Sequence, residues 1–241
     1  MRPKIICHMI SSIDGRLLTE RWTTPATGVE KGIISQTYEK VAKTLNADGW
    51  MVGRKTMEDF AKGQPSGGAV PGNFPRSTYV ADASATTFSV GIDAHGKLHY
   101  HTNRAEGNHV IAILGESVPD SYLDELRKAG VSYLFAGADG SDLSLAMERL
   151  AQDFGMRSIL LEGGGVINGA FLKARLIDEI SLLIYPGIDG LAGVPSVFEY
   201  LGQADERPAH GQSLRHMSTE TLEGGMVWLR YSVERSGVFE M

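Results

Sequence analysis

Residues 156–190 read MRSILLEGGGVINGAFLKARLIDEISLLIYPGIDG, and the order of events in this stretch decides the fold. Ser158 to Leu161 is a short apolar run suited to a buried strand, and Val166, Ala170, Phe171 and Leu172 follow at helical spacing. Gly163, Gly164 and Gly165 therefore fall at a strand-to-helix junction. Without a Cβ they let the backbone take positive φ and approach a ligand, while the unpaired N–H groups and dipole of the helix start favour an anion. A tight turn that needs glycine for its shape alone is the competing reading. Glu162 beside the turn weighs toward a site, because a carboxylate next to an anion position is an odd choice for structure.

Outward from this junction the same alternation repeats. Strand His109–Leu114, helix Asp120–Ala129, strand Val131–Phe135 and helix Leu143–Phe154 lead into it, and helix Val166–Lys173 and strand Ile180–Tyr185 follow. Repeated βαβ units predict an α/β class with helices on both faces of a mostly parallel central sheet, three layers in all. Toward the N-terminus we read a strand over Lys4–Ile10, a turn at Asp14-Gly15, and a helix begun by Ser35 and running to about Asn46. A strand over Trp50–Val52, a helical turn over Arg54–Ala61 and a strand over Ser77–Ala81 come next, then two extended pieces around an Asp93–Gly96 turn. Leu214–Leu222 and Met226–Glu234, parted by Glu223-Gly224-Gly225, predict a closing antiparallel hairpin at a sheet edge. The second of these runs is apolar and, as an edge, invites pairing with another copy. Glycine and proline between 62 and 75 predict an irregular loop long enough to act as a lid.

Composition narrows the function. With 241 residues, 42% of them hydrophobic and 22% charged, the chain reads as one globular domain over 1–241. A net charge of −6 gives no basic stripe, which argues against nucleic acid and anionic membrane as partners and leaves a small-molecule substrate. The one cysteine, Cys7, lies in the apolar run KIICHMI, so it reads as a buried hydrophobe, no intramolecular disulfide can form, and a cytoplasmic setting is expected. It also rules out a zinc deaminase centre, which needs a Cys-x-x-Cys pair. His99 and His101 share strand spacing but have no carboxylate at a matching offset, so no metal is expected.

A second glycine turn ends the Trp50 strand in WMVGRKTMEDF. Gly53 is read as permitting close backbone approach, Arg54 as a bidentate contact to a phosphate monoester such as the 2′-phosphate of NADPH, and Thr56 as a cap on the pyrophosphate. Two such turns in one open sheet are expected to address one dinucleotide. A solvated basic pair is the alternative for Arg54-Lys55.

These blocks together, SSIDGRL, WMVGRKT and ILLEGGGVINGAFLKARLIDEISLLIYPGIDG, resemble the dihydrofolate-reductase-like superfamily and, within it, the riboflavin-pathway pyrimidine reductases. The resemblance covers most of the chain. It implies a dihydrofolate-reductase-like fold, a homodimer, and NADPH-dependent reduction of a ribosylamino-pyrimidine 5′-phosphate to its ribitylamino form. It further implies cofactor contacts at Gly53, Thr56, Asp82, Gly163, Gly164 and Gly165, and chemistry at Glu162 and Asp14; Arg54 and, at the helix start, Val166 join the expected cofactor contacts on the residue reading alone. Glu162 is expected to have its pKa raised by desolvation and to donate or relay a proton, and Asp14 to hold substrate polar groups or to be a plain turn residue. With no deaminase domain before it, a stand-alone reductase is expected. Phe60 stands where the family has Asn or Asp before Pro, and Thr44 where it has an arginine. These departures keep open an NADPH-dependent reductase of a pterin, folate or other imine or carbonyl compound, and a non-catalytic dinucleotide-binding module.

Overall fold

The computed structural model describes residues 1–30, 32–65 and 73–236. In chain order the elements are β1 (Lys4–Ser12), α1 (Ile33–Thr44), β2 (Gly49–Gly53), α2 (Arg54–Met57), β3 (Phe88–Ile92), β4 (Arg104–Ala105), β5 (Asn108–Leu114), α3 (Asp120–Lys128), β6 (Ser132–Phe135), α4 (Leu143–Phe154), β7 (Ser158–Leu161), α5 (Gly165–Lys173), β8 (Glu179–Tyr185), β9 (Gln212–Thr221) and β10 (Val227–Arg235). The fold is α/β, with mostly parallel strands and an antiparallel pair at the C-terminal end. The chain divides into two compact units, Met1–Pro3 with Asp48–Ile159, and Lys4–Ala47 with Leu160–Met241.

In the first unit β2, β3, β5 and β6 pair in parallel in that order, with Trp50 opposite Ser89, Val90 opposite Ile111 and Ala112 opposite Tyr133. The apolar runs that predicted buried strands are buried here, Met51, Val90 and Ile111 having no exposed surface. Helix α4 is started by Asp142, whose carboxylate accepts from the Leu145 N–H at 2.9 Å, and stopped by Gly155 in the left-handed region. Asp93 ends β3 as a buried carboxylate, accepting from the N–H groups of Lys97 (2.7 Å) and Leu98 (2.8 Å) and from the Tyr122 hydroxyl (3.1 Å).

In the second unit β1 pairs in parallel with β8, Ile6 opposite Glu179, and β8, β10 and β9 continue antiparallel. Cys7 is fully buried in β1, and that burial pushes its thiol above the ordinary range. Its neighbour His8 is buried against Tyr38, ring centroids 4.3 Å apart, with Nδ1 3.0 Å from Ser181 Oγ and Nε2 3.4 Å from the Tyr38 carbonyl. The Trp228 indole donates to the same Ser181 oxygen at 2.8 Å. A carbonyl can only accept, so Nε2 carries the ring proton toward Tyr38 and, in the neutral ring, Nδ1 accepts from the Ser181 hydroxyl. Burial lowers the His8 pKa to about 4.

Four details differ from the sequence reading. Helix α1 begins at Ile33 after Gly32 and ends at Thr44, and Ser35 is no cap; the buried face is Ile33, Thr37 and Val41. Ser77–Ala81 is not a strand: Tyr79 alone bridges Tyr133, while Thr78 turns its hydroxyl to Asp153 (2.5 Å) and the Ala81 N–H goes to Ser132 Oγ (2.9 Å). After the Asp93 turn, Lys97–Thr102 joins no ladder, because Asp93 takes the first N–H groups. The apolar C-terminal strand β10 is internal, between β8 and β9, and the exposed β9 forms the edge. The central part of the expected 62–75 lid lies outside the described residues.

Candidate active site

The second unit carries the long glycine turn. β7 delivers Glu162, partly buried, directly to Gly163, whose φ of +101° is open to glycine and strained for other residues. Gly163 also backs onto Met9, whose sulfur and methyl would lie 3.2 Å from an added Cβ. Gly165 is buried under residue 196, where an added Cβ would strike the Ser196 carbonyl oxygen. Gly164 alone looks onto open space, with nothing within 4 Å of the place its Cβ would occupy. It stands at the N-cap of the nine-residue α5 and, as glycine, supplies no side-chain cap to the first-turn N–H groups. Val166 follows 47% exposed, beside that opening rather than in the core.

Asp14 lies in the same unit, just past β1, and its carboxylate is committed. Oδ1 accepts from the Ser12 hydroxyl (2.6 Å) and the Asp189 N–H (3.2 Å), and Oδ2 from the Gly190 N–H (2.9 Å). The Ser12 hydroxyl first and the Gly190 amide second hold its pKa down at about 2. Asp14 is thus an ionised acceptor that clips the 189–190 turn to the end of β1, not a proton donor at neutral pH. Trp22, buried and stacked on Tyr185 at 5.4 Å, and Tyr38, stacked on His8, belong to the packing.

The first unit carries the short turn. Gly53 sits at φ −72° and ψ 167°, an ordinary extended conformation, so its backbone shape does not require glycine. The helix it opens is four residues long. Arg54 is ion-paired with Glu58 one turn on, both side chains about half exposed, which gives a partner to a guanidinium that the helix dipole disfavours at this end. Thr56 is partly buried in that helix, and Phe60 packs against Trp50 at 5.3 Å. Asp82 folds back on Ser84, accepting from its hydroxyl (2.6 Å) and N–H (2.9 Å), with Arg104 at 3.5 Å; the Ser84 hydroxyl contributes most to holding its carboxyl below the usual range. His99 is bonded to Glu125 at 2.6 Å and His101 is exposed.

Of the residues that sequence reasoning assigned to a single site, Asp14, Glu162, Gly163, Gly164, Gly165 and Val166 lie in one unit, and Gly53, Arg54, Thr56 and Asp82 in the other. It missed the segment Val194–Glu199, which packs on Gly165. The four-residue spacing of Gly165 and Gly169 on one helix face was the available signal, since two such glycines let a backbone lie against the helix.

Comparison with known proteins places the chain. The family model described as the RibD C-terminal domain matches residues 3–228. The 2,5-diamino-6-ribosylamino-4(3H)-pyrimidinone 5′-phosphate reductase of Methanothermobacter thermautotrophicus is 30% identical over 192 residues, which is 79% of this chain and 81% of that protein. The protein of the same name from Aquifex aeolicus is 27% identical over 209 residues, 81% and 82% of the two chains. Among solved structures, a pyrimidine reductase-like protein from Corynebacterium diphtheriae aligns over 97% of this chain and 93% of its own, with TM-score 0.66 and 18% identity, a likeness of fold.

Proposed function

Since this chain belongs to the RibD C-terminal domain family, we propose that it is an NADPH-dependent reductase that converts a ribosylamino-pyrimidine 5′-phosphate to its ribitylamino form. The observation that carries the reading is the Gly163–Gly165 turn, with a glycine in a conformation only glycine takes readily, an uncapped helix start and an open face at Gly164. A phosphate-bearing cofactor fits that opening, because backbone N–H groups there meet an anion with no side chain in the way. Bound NADPH supplies the hydride. The protein's share is orientation, charge stabilisation and a proton.

Glu162, partly buried at the strand end, holds and relays that proton to the nitrogen or oxygen left by hydride addition. Asp14 fixes the 189–190 turn and presents negative charge to substrate hydroxyls. Gly53, Thr56 and Asp82 are assigned to the cofactor by their family positions, and Arg54 by its charge beside them, exchanging Glu58 for the 2′-phosphate. A second reading, reduction of a pterin, folate or other imine, is favoured by Phe60, whose ring packs on Trp50 where the family has a polar residue. The exposed edge β9, with Leu214 54% and Met217 47% exposed, is the surface on which a homodimer would form.

The test is turnover with NADPH of the ribosylamino-pyrimidine phosphate against dihydrofolate, repeated in Glu162→Gln. The wild type should reduce the first, and Glu162→Gln should lower kcat about 100-fold with little change in NADPH affinity. Unchanged single-turnover hydride transfer in the variant would remove Glu162 from the chemistry.

A further inference from the structure

The Gly163–Gly165 turn is held from outside by the segment Val194–Glu199. This segment lies along α5 where the helix has no side chains in the way: a Cβ on Gly165 would strike the Ser196 carbonyl, and one on Gly169 the Glu199 carbonyl. Two polar links fasten it to the helix: the Glu199 N–H donates to the Gly165 carbonyl at 2.9 Å, and the buried Asn168 donates through Nδ2 to the Val197 carbonyl at 2.9 Å. Within the segment, the Ser196 N–H donates to the Glu199 carboxylate at 3.2 Å and holds its bend. The other edge of the segment is tied to the residues after Asp14. The Leu17 N–H donates to the Pro195 carbonyl at 3.0 Å, and Arg16 donates through Nη1 to the Val194 carbonyl at 2.8 Å. One short strap therefore bonds both the phosphate turn and the Asp14 turn, and no other segment described does both.

We propose that Val194–Glu199 is a positioning strap that fixes the register of the phosphate turn against the Asp14 turn, and that Asn168 and Gly169 are positioning residues that seat it. Both residues are buried, and both act through the strap. The proposal rests on reading the Gly163–Gly165 turn as the NADPH phosphate site. Seating depends on backbone contact at Gly169, so even a methyl group must lift the strap, and a lifted strap frees the carbonyl of Gly165 and the N–H of Leu17 together.

The experiment compares wild type, Gly169→Ala and Asn168→Ala by steady-state kinetics and by amide hydrogen exchange. In Gly169→Ala the KM for NADPH should rise about tenfold while kcat at saturating NADPH stays within about threefold, since misplacement of a binding group costs affinity before chemistry. The Leu17 and Glu199 amides should exchange faster in both variants, while the Ile5 amide, held by Asp178, stays as in wild type. Asn168→Ala, which removes one bond without a clash, should show the same pattern more weakly and decides the matter if Gly169→Ala does not fold. Folded variants with wild-type KM for NADPH, or faster exchange at Glu199 with Leu17 unmoved, overturn the strap. Failure of the wild type to oxidise NADPH would instead overturn the functional reading, and the exchange data would still judge the strap.

Discussion

The two glycine turns look alike in sequence and differ in physics. The turn after β7 contains a glycine at φ +101° and another pressed under a carbonyl, and it opens a nine-residue helix. The turn after β2 has its glycine at φ −72°, opens a four-residue helix and has its arginine paired with Glu58. Glycine is required by the fold at the first turn. At the second, the backbone conformation makes no such demand. A strand–glycine–helix pattern therefore reports a junction, and only the dihedral angle and the space around the missing Cβ report why glycine is there.

Substitution breaks the comparison most directly. Gly165→Ala should destabilise the protein by about 3 kcal/mol, because the new methyl meets a backbone carbonyl that must move. Gly53→Ala should stay within about 1 kcal/mol of wild type, the extended conformation being available to alanine. Chemical denaturation of the two variants checks this, and equal losses would erase the distinction drawn here. If Gly53→Ala kept its stability yet lost NADPH binding, the ligand would be identified as the reason for that glycine.

Acid should act next, on the unit that holds the long turn. His8 has an unperturbed pKa of 6.5 and a folded value of about 4. Between these values the unfolded chain binds a proton that the folded chain excludes, so stability is full above 6.5 and declines as pH falls toward 4. Going from about pH 7 to about pH 5 should cost about 2 kcal/mol. Denaturation midpoints across that range, flattened in His8→Gln, test the assignment; an unchanged slope in the variant would move the effect to another group.

The smallest effect on stability belongs to the short turn. Arg54→Ala removes an exposed pair one helical turn apart and should cost no more than about 0.5 kcal/mol. Its binding effect should be larger, a roughly tenfold loss of preference for NADPH over NADH in a fluorescence titration, as expected for one charge-assisted contact. Selectivity unchanged by the substitution would leave Arg54 as Glu58's partner only.

Most of the fold was legible because burial leaves its mark on composition. The apolar runs at Trp50–Val52, His109–Leu114 and Ile180–Tyr185 became strands, and the Glu223-Gly224-Gly225 break became the hairpin turn. Ser77–Ala81 was misread because its backbone and hydroxyl groups are satisfied by Ser132 and Asp153, side chains distant in sequence that no local pattern announces. Asp93 was read only as a turn residue, though it is a buried acceptor for two amides and a phenol. At the site, Glu162 and the glycines were found from their adjacency, whereas the role of Asp14 depended on amides 175 and 176 positions away. The strap reads VPSVFE, too short a stretch to carry a periodic signal.

Cys7 is the one sulfhydryl in the molecule, sealed within the strand next to His8. An alkylating reagent can reach it only when β1 parts from its neighbours, so the labelling rate of the native enzyme counts those openings at a single atom. The protein thus carries an intrinsic clock for the excursions of its own centre, readable by mass without any engineered probe.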